Sequence, residues 1–334
     1  MKDSYAKTNN ICLVFLTLVT ATGTLIYTKP VLLPLIFAIF VYSILTPLVY
    51  NIQTKLKIPK ALAILGAIVL LWLILTSIVL IFIMSVENFV EGMPKYKDSL
   101  VKTISFVELK LAQFHIDLEL TKIRELMPKV FTYAQKFTGH LLSFLGNLFL
   151  VFIFSIFMLT GENKSSKKSR LLNEIIQKIS SYISSKFFLS LATGVIVWVI
   201  LLAFNIELAF IFGLLTILLN FIPTIGSIFA IALPLPIVFL QYQFSWPFFI
   251  VLILTGLVQF VIGNVIEPKI MGDSMDLHPI AVLICLIFWG LVWGIPGMFL
   301  AVPITAILKI IFARIEATQP IAEVLAGRIP TRGL

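Results

Sequence analysis

Charge is scarce in this 334-residue chain: Lys, Arg, Asp and Glu together make up 12% of it, against roughly 25% in a soluble domain. From Phe187 to Ile266 the only charged side chain is Glu207. An apolar tract of that length fits several spans of a bilayer, because about 20 apolar residues already cross a hydrocarbon core of roughly 30 Å. Cysteine is nearly absent as well. Cys12 and Cys285 both lie in apolar segments, where a thiol packs as a small hydrophobe, and no disulfide framework is expected. The three histidines, His115, His140 and His278, form no His-Glu-x-x-His zinc pair, and no phosphate-cradling Gly-x-x-x-x-Gly-Lys-Ser/Thr loop occurs. Gly272-Asp273 has the dipeptide of intramembrane aspartyl proteases, but Asp273 sits in a polar loop and no second aspartate lies in a span to share a proton. The chain therefore reads as no enzyme, with no cofactor and no metal. Lacking a nucleotide site, it cannot power a pump alone, and uphill transport would draw on an ion gradient. The formal net charge of +9 does not indicate nucleic acid, since the cations sit in short loops between apolar spans and form no basic face.

What the chain has is apolar length, 60% of its residues. Apolar segments lie near 11–28, 31–50, 61–84, 141–160, 187–204, 206–222, 225–240, 247–266, 280–294 and 295–312. The first is read as a retained span and not a cleaved signal, because no Ala-x-Ala site follows and the next segment begins directly after Lys29-Pro30. Short loops rich in Lys and Arg stay in the cytoplasm. Lys2 and Lys7, residues 51–60 with Lys55, Lys57 and Lys60, residues 161–186 with six basic residues, and the tail at 313–334 are assigned there, so both termini are cytoplasmic. An inside start and an inside end require an even number of crossings, eight or ten. Charge alone does not separate a crossing pair from a re-entrant hairpin.

The expected organisation is three N-terminal transmembrane helices in 1–84, an insertion at 85–140, a fourth transmembrane helix at 141–160, the basic cytoplasmic loop at 161–186, a C-terminal transmembrane bundle at 187–312, and the tail. The insertion carries eight basic and seven acidic residues, with apolar positions such as Val86, Phe89, Val90 and Met93 at helical spacing. It reads as two or three extracytoplasmic amphipathic helices punctuated by Pro94 and Pro128, either a cap over a pathway or a hairpin packing on neighbouring subunits. The fold class is an all-α polytopic membrane protein, with about eight transmembrane helices plus broken or re-entrant segments.

Irregular backbone survives at membrane depth only where protein buries it or it lines a wet cavity. Two places qualify: Asn220-Phe221-Ile222-Pro223-Thr224-Ile225-Gly226-Ser227, and Trp293-Gly294-Ile295-Pro296-Gly297. Paired Gly/Pro breaks of this sort point to a transporter's solute site, while the plain alternative is an interhelical turn. A third feature is Gln259, Asn264, Glu267, Lys269, Asp273, Asp276 and His278 within one short stretch. Polar and ionisable groups in or beside a span suggest a solute or ion pathway. Asn264 and Glu267, three apart, share a helix face, and Pro268 is expected to end that helix. His278 stands before Pro279 at the mouth of the next span, and histidine is the residue type that a proton-coupled pathway would use.

Taken together, Asn220-Phe221-Ile222-Pro223-x-x-Gly226, Gly263-Asn264-x-x-Glu267-Pro268-x-x-x-Gly272, His278-Pro279 and Trp293-Gly294-Ile295-Pro296-Gly297-Met298-Phe299-Leu300-Ala301-Val302-Pro303 resemble the autoinducer-2 exporter family of bacterial membrane proteins. The resemblance covers nearly the whole chain. It implies a secondary transporter of the inner or plasma membrane with about eight spans, assembled as a homo-oligomer. Its known members are linked to export of the furanone quorum-sensing signal, and others resemble sodium(lithium)/proton antiporters. The expected partners are membrane lipid and either a small polar solute or a monovalent cation with a proton. Combining both lines, Pro223, Gly226, Pro296 and Gly297 are expected to free backbone groups around a cavity, Asn220, Gln259 and Asn264 to hydrogen-bond the solute, and Glu267 to bind a proton or cation. Gly272, Pro268 and His278 complete the expected pathway. A rival of another class is a non-transporting membrane scaffold that uses 85–140 and 161–186 to bind partners or anionic lipid.

Overall fold

In hydrocarbon the backbone must satisfy its own hydrogen bonds, so apolar runs bounded by proline, glycine or charge become helices. The computed structural model describes residues 2–112, 148–161, 170–271 and 276–328. Among them every regular element is helical: α1 (Lys2–Tyr27), α2 (Lys29–Leu56), α3 (Lys60–Ala112), α4 (Leu148–Thr160), α5 (Arg170–Ala203), α6 (Ala209–Leu219), α7 (Ile225–Ala232), α8 (Leu235–Tyr242), α9 (Trp246–Val261), a π-helical turn (Ile262–Ile266), α10 (Glu267–Met271), α11 (Pro279–Trp293), α12 (Ile295–Phe312), a 3₁₀ turn (Glu316–Thr318) and α13 (Gln319–Leu325). Six stretches are long and apolar enough to cross a membrane, Lys29–Leu56, Lys60–Ser85, Gln177–Ala203, Ile225–Tyr242, Trp246–Ile270 and Ile295–Phe312, and four shorter apolar helices accompany them. The chain is an all-α integral membrane protein.

Residues 113–140 of the expected insertion, 141–147 of the fourth span, 162–169 of the basic loop, and Gly272 lie outside the described residues. Three expectations differ from the helices seen. α3 runs through Pro94 without a break, because one missing donor costs a long helix a single bond that solvent can replace. The segment read as loop up to Lys186 is helix from Arg170 onward, since polar residues lower hydropathy without ending a helix. Pro268 does not stop its helix either: α10 continues through it to Met271. The π turn just before it is where the chain accommodates a ring and a missing N–H.

The chain forms two compact units, Met1–Lys57 with Leu150–Ser184 and Asp273–Leu334, and Ile58–Phe149 with Ser185–Gly272. In the first, the phenyl rings of Phe37, Phe40 and Phe299 cluster within 6.2 Å of one another. The Trp293 indole donates to the Leu25 carbonyl at 2.9 Å, so α11 is tied to α1.

The second unit is built on the α5–α6 hairpin. Buried residues on α5 recur at Lys186, Ser190, Thr193, Val197 and Leu201, the helical period, and all but the last two are polar. Phe188, Val195, Val199 and Leu202 point outward from the same helix, as a lipid-facing surface requires. α6 answers with a narrow stripe of Ala209, Gly213, Thr216 and Asn220. A Cβ on Gly194 would lie 2.5 Å from the Gly213 carbonyl oxygen, and one on Gly213 2.6 Å from the Trp198 Cβ. The glycines therefore set how closely the two backbones approach, the usual device where no hydrophobic force draws helices together in lipid. At one end, Tyr242 donates to the Phe204 carbonyl at 2.7 Å, and Gln241 bridges the Glu207 N–H and the Asn205 carbonyl. Val197, Leu201, Phe212, Val238 and Val251 fill the core between α5, α6, α8 and α9.

Candidate functional site

α6 has 11 residues, about 16 Å at 1.5 Å per residue, and falls short of a bilayer's hydrocarbon thickness. It ends at Asn220, and the chain reverses through Phe221–Thr224 into α7. Gly226 makes this reversal possible: a Cβ there would stand 1.8 Å from the Leu219 carbonyl oxygen, so any side chain would push α7 off the end of α6. Thr224 takes φ 60°, ψ −59°, a conformation that a β-branched residue adopts only under constraint. The second Ile-Pro sequence makes a similar hairpin in the other unit. Gly294 turns at φ +71°, and a Cβ on Gly297 would lie 2.0 Å from the Trp289 carbonyl oxygen. Both glycine-proline breaks are tight interhelical turns.

Beside the α6–α7 turn lies a recess of about 450 Å³. Lys186 of α5, Asn220, Pro223 and Thr224 of the turn, Ser227 of α7, and Gln259, Asn264 and Glu267 of α9 and its continuation line it. α9 delivers its polar wall by periodicity, since Val251, Thr255 and Gln259 form one buried stripe at spacings of four. The π turn then widens the helix, so that Asn264 donates to the Phe260 carbonyl at 3.1 Å and Glu267 follows on the recess side.

The charged pair is the strongest feature of the site. Lys186 and Glu267, the residues that flank the nearly uncharged tract from Phe187 to Ile266, donate and accept one hydrogen bond across 81 positions of sequence. The Lys186 side chain is 2% exposed and that of Glu267 24%. One turn further along α5, the Ser190 hydroxyl accepts from the Asn220 amide at 3.2 Å, which fixes the orientation of that amide. Gln259 is buried, and its amide nitrogen has no hydrogen-bond partner among the described residues. Counted along α9, Gln259 is 13 residues from Trp246, about 20 Å, which places it well within the span. The recess thus offers amides, hydroxyls and one charge of each sign.

Of the residues expected from sequence, Asn220, Pro223, Gln259, Asn264 and Glu267 share this recess, with Gly226 packed behind its turn and Pro268 directly after it. His278, Pro296 and Gly297 belong to the other unit. The His278 ring caps α11, its Nδ1 accepting the Ile280 N–H at 3.3 Å, and the backbone N–H of His278 donates to the Leu325 carbonyl at 2.9 Å. Lys186 of the recess wall, and Ser190, which accepts from the Asn220 amide, are the residues that sequence reasoning did not single out. The available signal was the stripe of small and polar residues down one face of α5 in an otherwise apolar helix.

The AI-2E family transporter model matches residues 12–317. The chain is 28% identical over 317 residues to the AI-2 transport protein TqsA of Escherichia coli K12, covering 90% of each. It is 31% identical over 301 residues to a protein of Haemophilus influenzae whose name records transport and no solute, with 84% of this chain and 85% of the relative covered. A relative of the same description in Borreliella burgdorferi shares 26% over 313 residues, covering 90% of this chain and 84% of its own.

Proposed function

The chain belongs to the AI-2E transporter family, and we propose that it is a secondary transporter exporting a small polar solute bound in the recess between Lys186, Asn220, Gln259, Asn264 and Glu267. The observation that carries this reading is Gln259, a lining residue of a polar recess within the span whose buried amide nitrogen has no partner among the described residues. A buried amide without a partner costs about 1–3 kcal/mol, and a solute hydroxyl or carbonyl would relieve it. Similarity to an AI-2 transport protein suggests a hydroxylated furanone-type signal as the solute. Amides and hydroxyls suit such a solute better than bare charge does. In this reading the protein lies in the bacterial inner membrane with both termini in the cytoplasm, as the basic loops favour. Thr224, held in a strained conformation at the recess, is the place where the α6–α7 turn would rearrange as the site opens.

A second reading, monovalent cation/proton antiport, has in its favour the Glu267 carboxylate within the Trp246–Ile270 span. Efflux from proteoliposomes loaded with labelled autoinducer-2, with and without imposed proton and sodium gradients, separates the two. Efflux above that of empty liposomes, reduced about fivefold or more by Gln259→Leu, is expected, since losing a buried solute hydrogen bond costs about 1–3 kcal/mol. No signal efflux, with a sodium-driven internal pH change lost in Glu267→Gln, would replace the exporter with the antiporter.

A further inference from the structure

A carboxylate in a span that exchanges sodium or lithium has to present its oxygens to the ion. Oε1 of Glu267 already accepts from the Lys186 ammonium, whose side chain is 2% exposed. We infer that Lys186 is the resident cation of Glu267, a specificity-determining residue that closes the carboxylate to sodium and lithium and leaves the recess selective for an electrically neutral, hydrogen-bonding solute.

The argument is one of charge and desolvation. Among the residues lining the recess, Lys186 and Glu267 are the charged ones, so its formal charge is zero. A metal cation binding Glu267 would displace an ammonium that is only 2% exposed and leave it as a buried, uncompensated positive charge, which is heavily penalised. An anionic solute faces the converse problem with Glu267. A neutral solute carrying hydroxyls or carbonyls meets no such penalty, because Gln259, Asn264, Thr224 and Ser227 supply both donors and acceptors while the pair stays closed. Remove the ammonium and the recess keeps an unpaired carboxylate in a wall that Asn264 and Gln259 also line, side chains carrying the hard oxygen donors that alkali ions take. The cation half of this inference stands on the pair alone. The solute half rests on the recess being the transport site.

The test compares the thermal midpoint of the full-length purified protein in sodium, lithium and choline chloride at matched ionic strength, for wild type, Lys186→Met and Lys186→Met/Glu267→Gln. Wild type and the double variant are expected to be indifferent to the cation. Lys186→Met is expected to gain a saturable sodium stabilisation, on the order of a few degrees once sodium is well above its dissociation constant. Saturable sodium or lithium stabilisation of wild type that Glu267→Gln removes would overturn the inference, and so would a folded Lys186→Met that ignores sodium. Should Lys186→Met not fold, the swapped Lys186→Glu/Glu267→Lys protein, which keeps one charge of each sign, is expected to stay sodium-indifferent, and sodium sensitivity there would overturn it equally. Solute efflux is read separately. A sodium-indifferent wild type that moves no solute sinks the transport reading of the recess and not the assignment of Lys186, whereas sodium-stabilised wild type with intact efflux does the reverse.

Discussion

Removing one member of the Lys186–Glu267 pair has a cost that depends on which charge is left behind. Glu267→Gln keeps the shape of the side chain and strands an ammonium that is 2% exposed. Breaking a buried pair in this way costs about 3–5 kcal/mol. Lys186→Met strands a carboxylate that is 24% exposed and retains part of its hydration, so a cost of about 1–3 kcal/mol is expected. The double variant has two uncharged side chains of similar volume and should fall within about 1 kcal/mol of wild type, because a well-packed neutral replacement of a buried pair is often neutral or better. The cycle therefore closes with a coupling of about 3 kcal/mol or more, against 0.2–1 kcal/mol for an exposed pair. Measured as thermal midpoints in one detergent, Glu267→Gln should drop by about 5 °C, Lys186→Met by roughly half as much, and the double variant by no more than about 1–2 °C. Equal, small and additive single effects would refute the reasoning, since they would mean that both groups are hydrated.

Gly226→Ala should destabilise the protein by about 1–3 kcal/mol or prevent its accumulation in the membrane, as the added Cβ would need the α6–α7 turn to open by more than 1 Å from a 1.8 Å contact; wild-type midpoint and yield would disprove the close approach. Thr224→Gly should raise the midpoint, because glycine removes a backbone strain of about 1–3 kcal/mol, and should slow efflux if that strain drives the turn. In the other unit, a hydrogen bond from Lys309 holds the Asp276 carboxyl below the ordinary carboxylate range, with burial opposing and the charges of Lys309 and Arg328 adding to the depression. A depressed value means that this stabilisation is fully present above the ordinary carboxylate range and is lost as pH falls through the lower folded value. Stability of the C-terminal helix α13, tied to Asp276 through Arg328 at 3.1 Å, should thus be flat from pH 5 to 8 and fall only below about pH 4. Since the Asp276 carboxylate is 44% exposed, Asp276→Asn should cost under about 1 kcal/mol at neutral pH, read as faster amide exchange in α13; loss of the whole fold would contradict this.

The helical fold was legible because hydrocarbon leaves the backbone so few choices. With one charged residue between Phe187 and Ile266, the segments could only be spans or hairpins, and proline and glycine marked where they turn. Asn220, Gln259, Asn264 and Glu267 stood out for the same reason, as polar groups in a setting that penalises them. Hydropathy does not report on the far side of a charge. Lys186 sits at the end of a run of cations that read as a solvated loop, and nothing local distinguishes a hydrated lysine from one whose ammonium is turned into the protein. The distinction lies in phase: Lys186, Ser190, Thr193 and Val197 fall on one face of α5, and continuing that face back from the apolar part of the helix carries it to the lysine. Its partner is then constrained by charge alone. Within the second unit, the anion beside the recess is the carboxylate that ends the same tract, so the two charges bounding the apolar segment neutralise each other where its helices meet. The π turn was less legible, because a proline normally predicts a stop and only the register of α9 into Glu267 shows that the helix absorbed it. That extra residue re-aims the chain after Gln259, which is how an amide deep in the span and a carboxylate nearer its end come to line one recess.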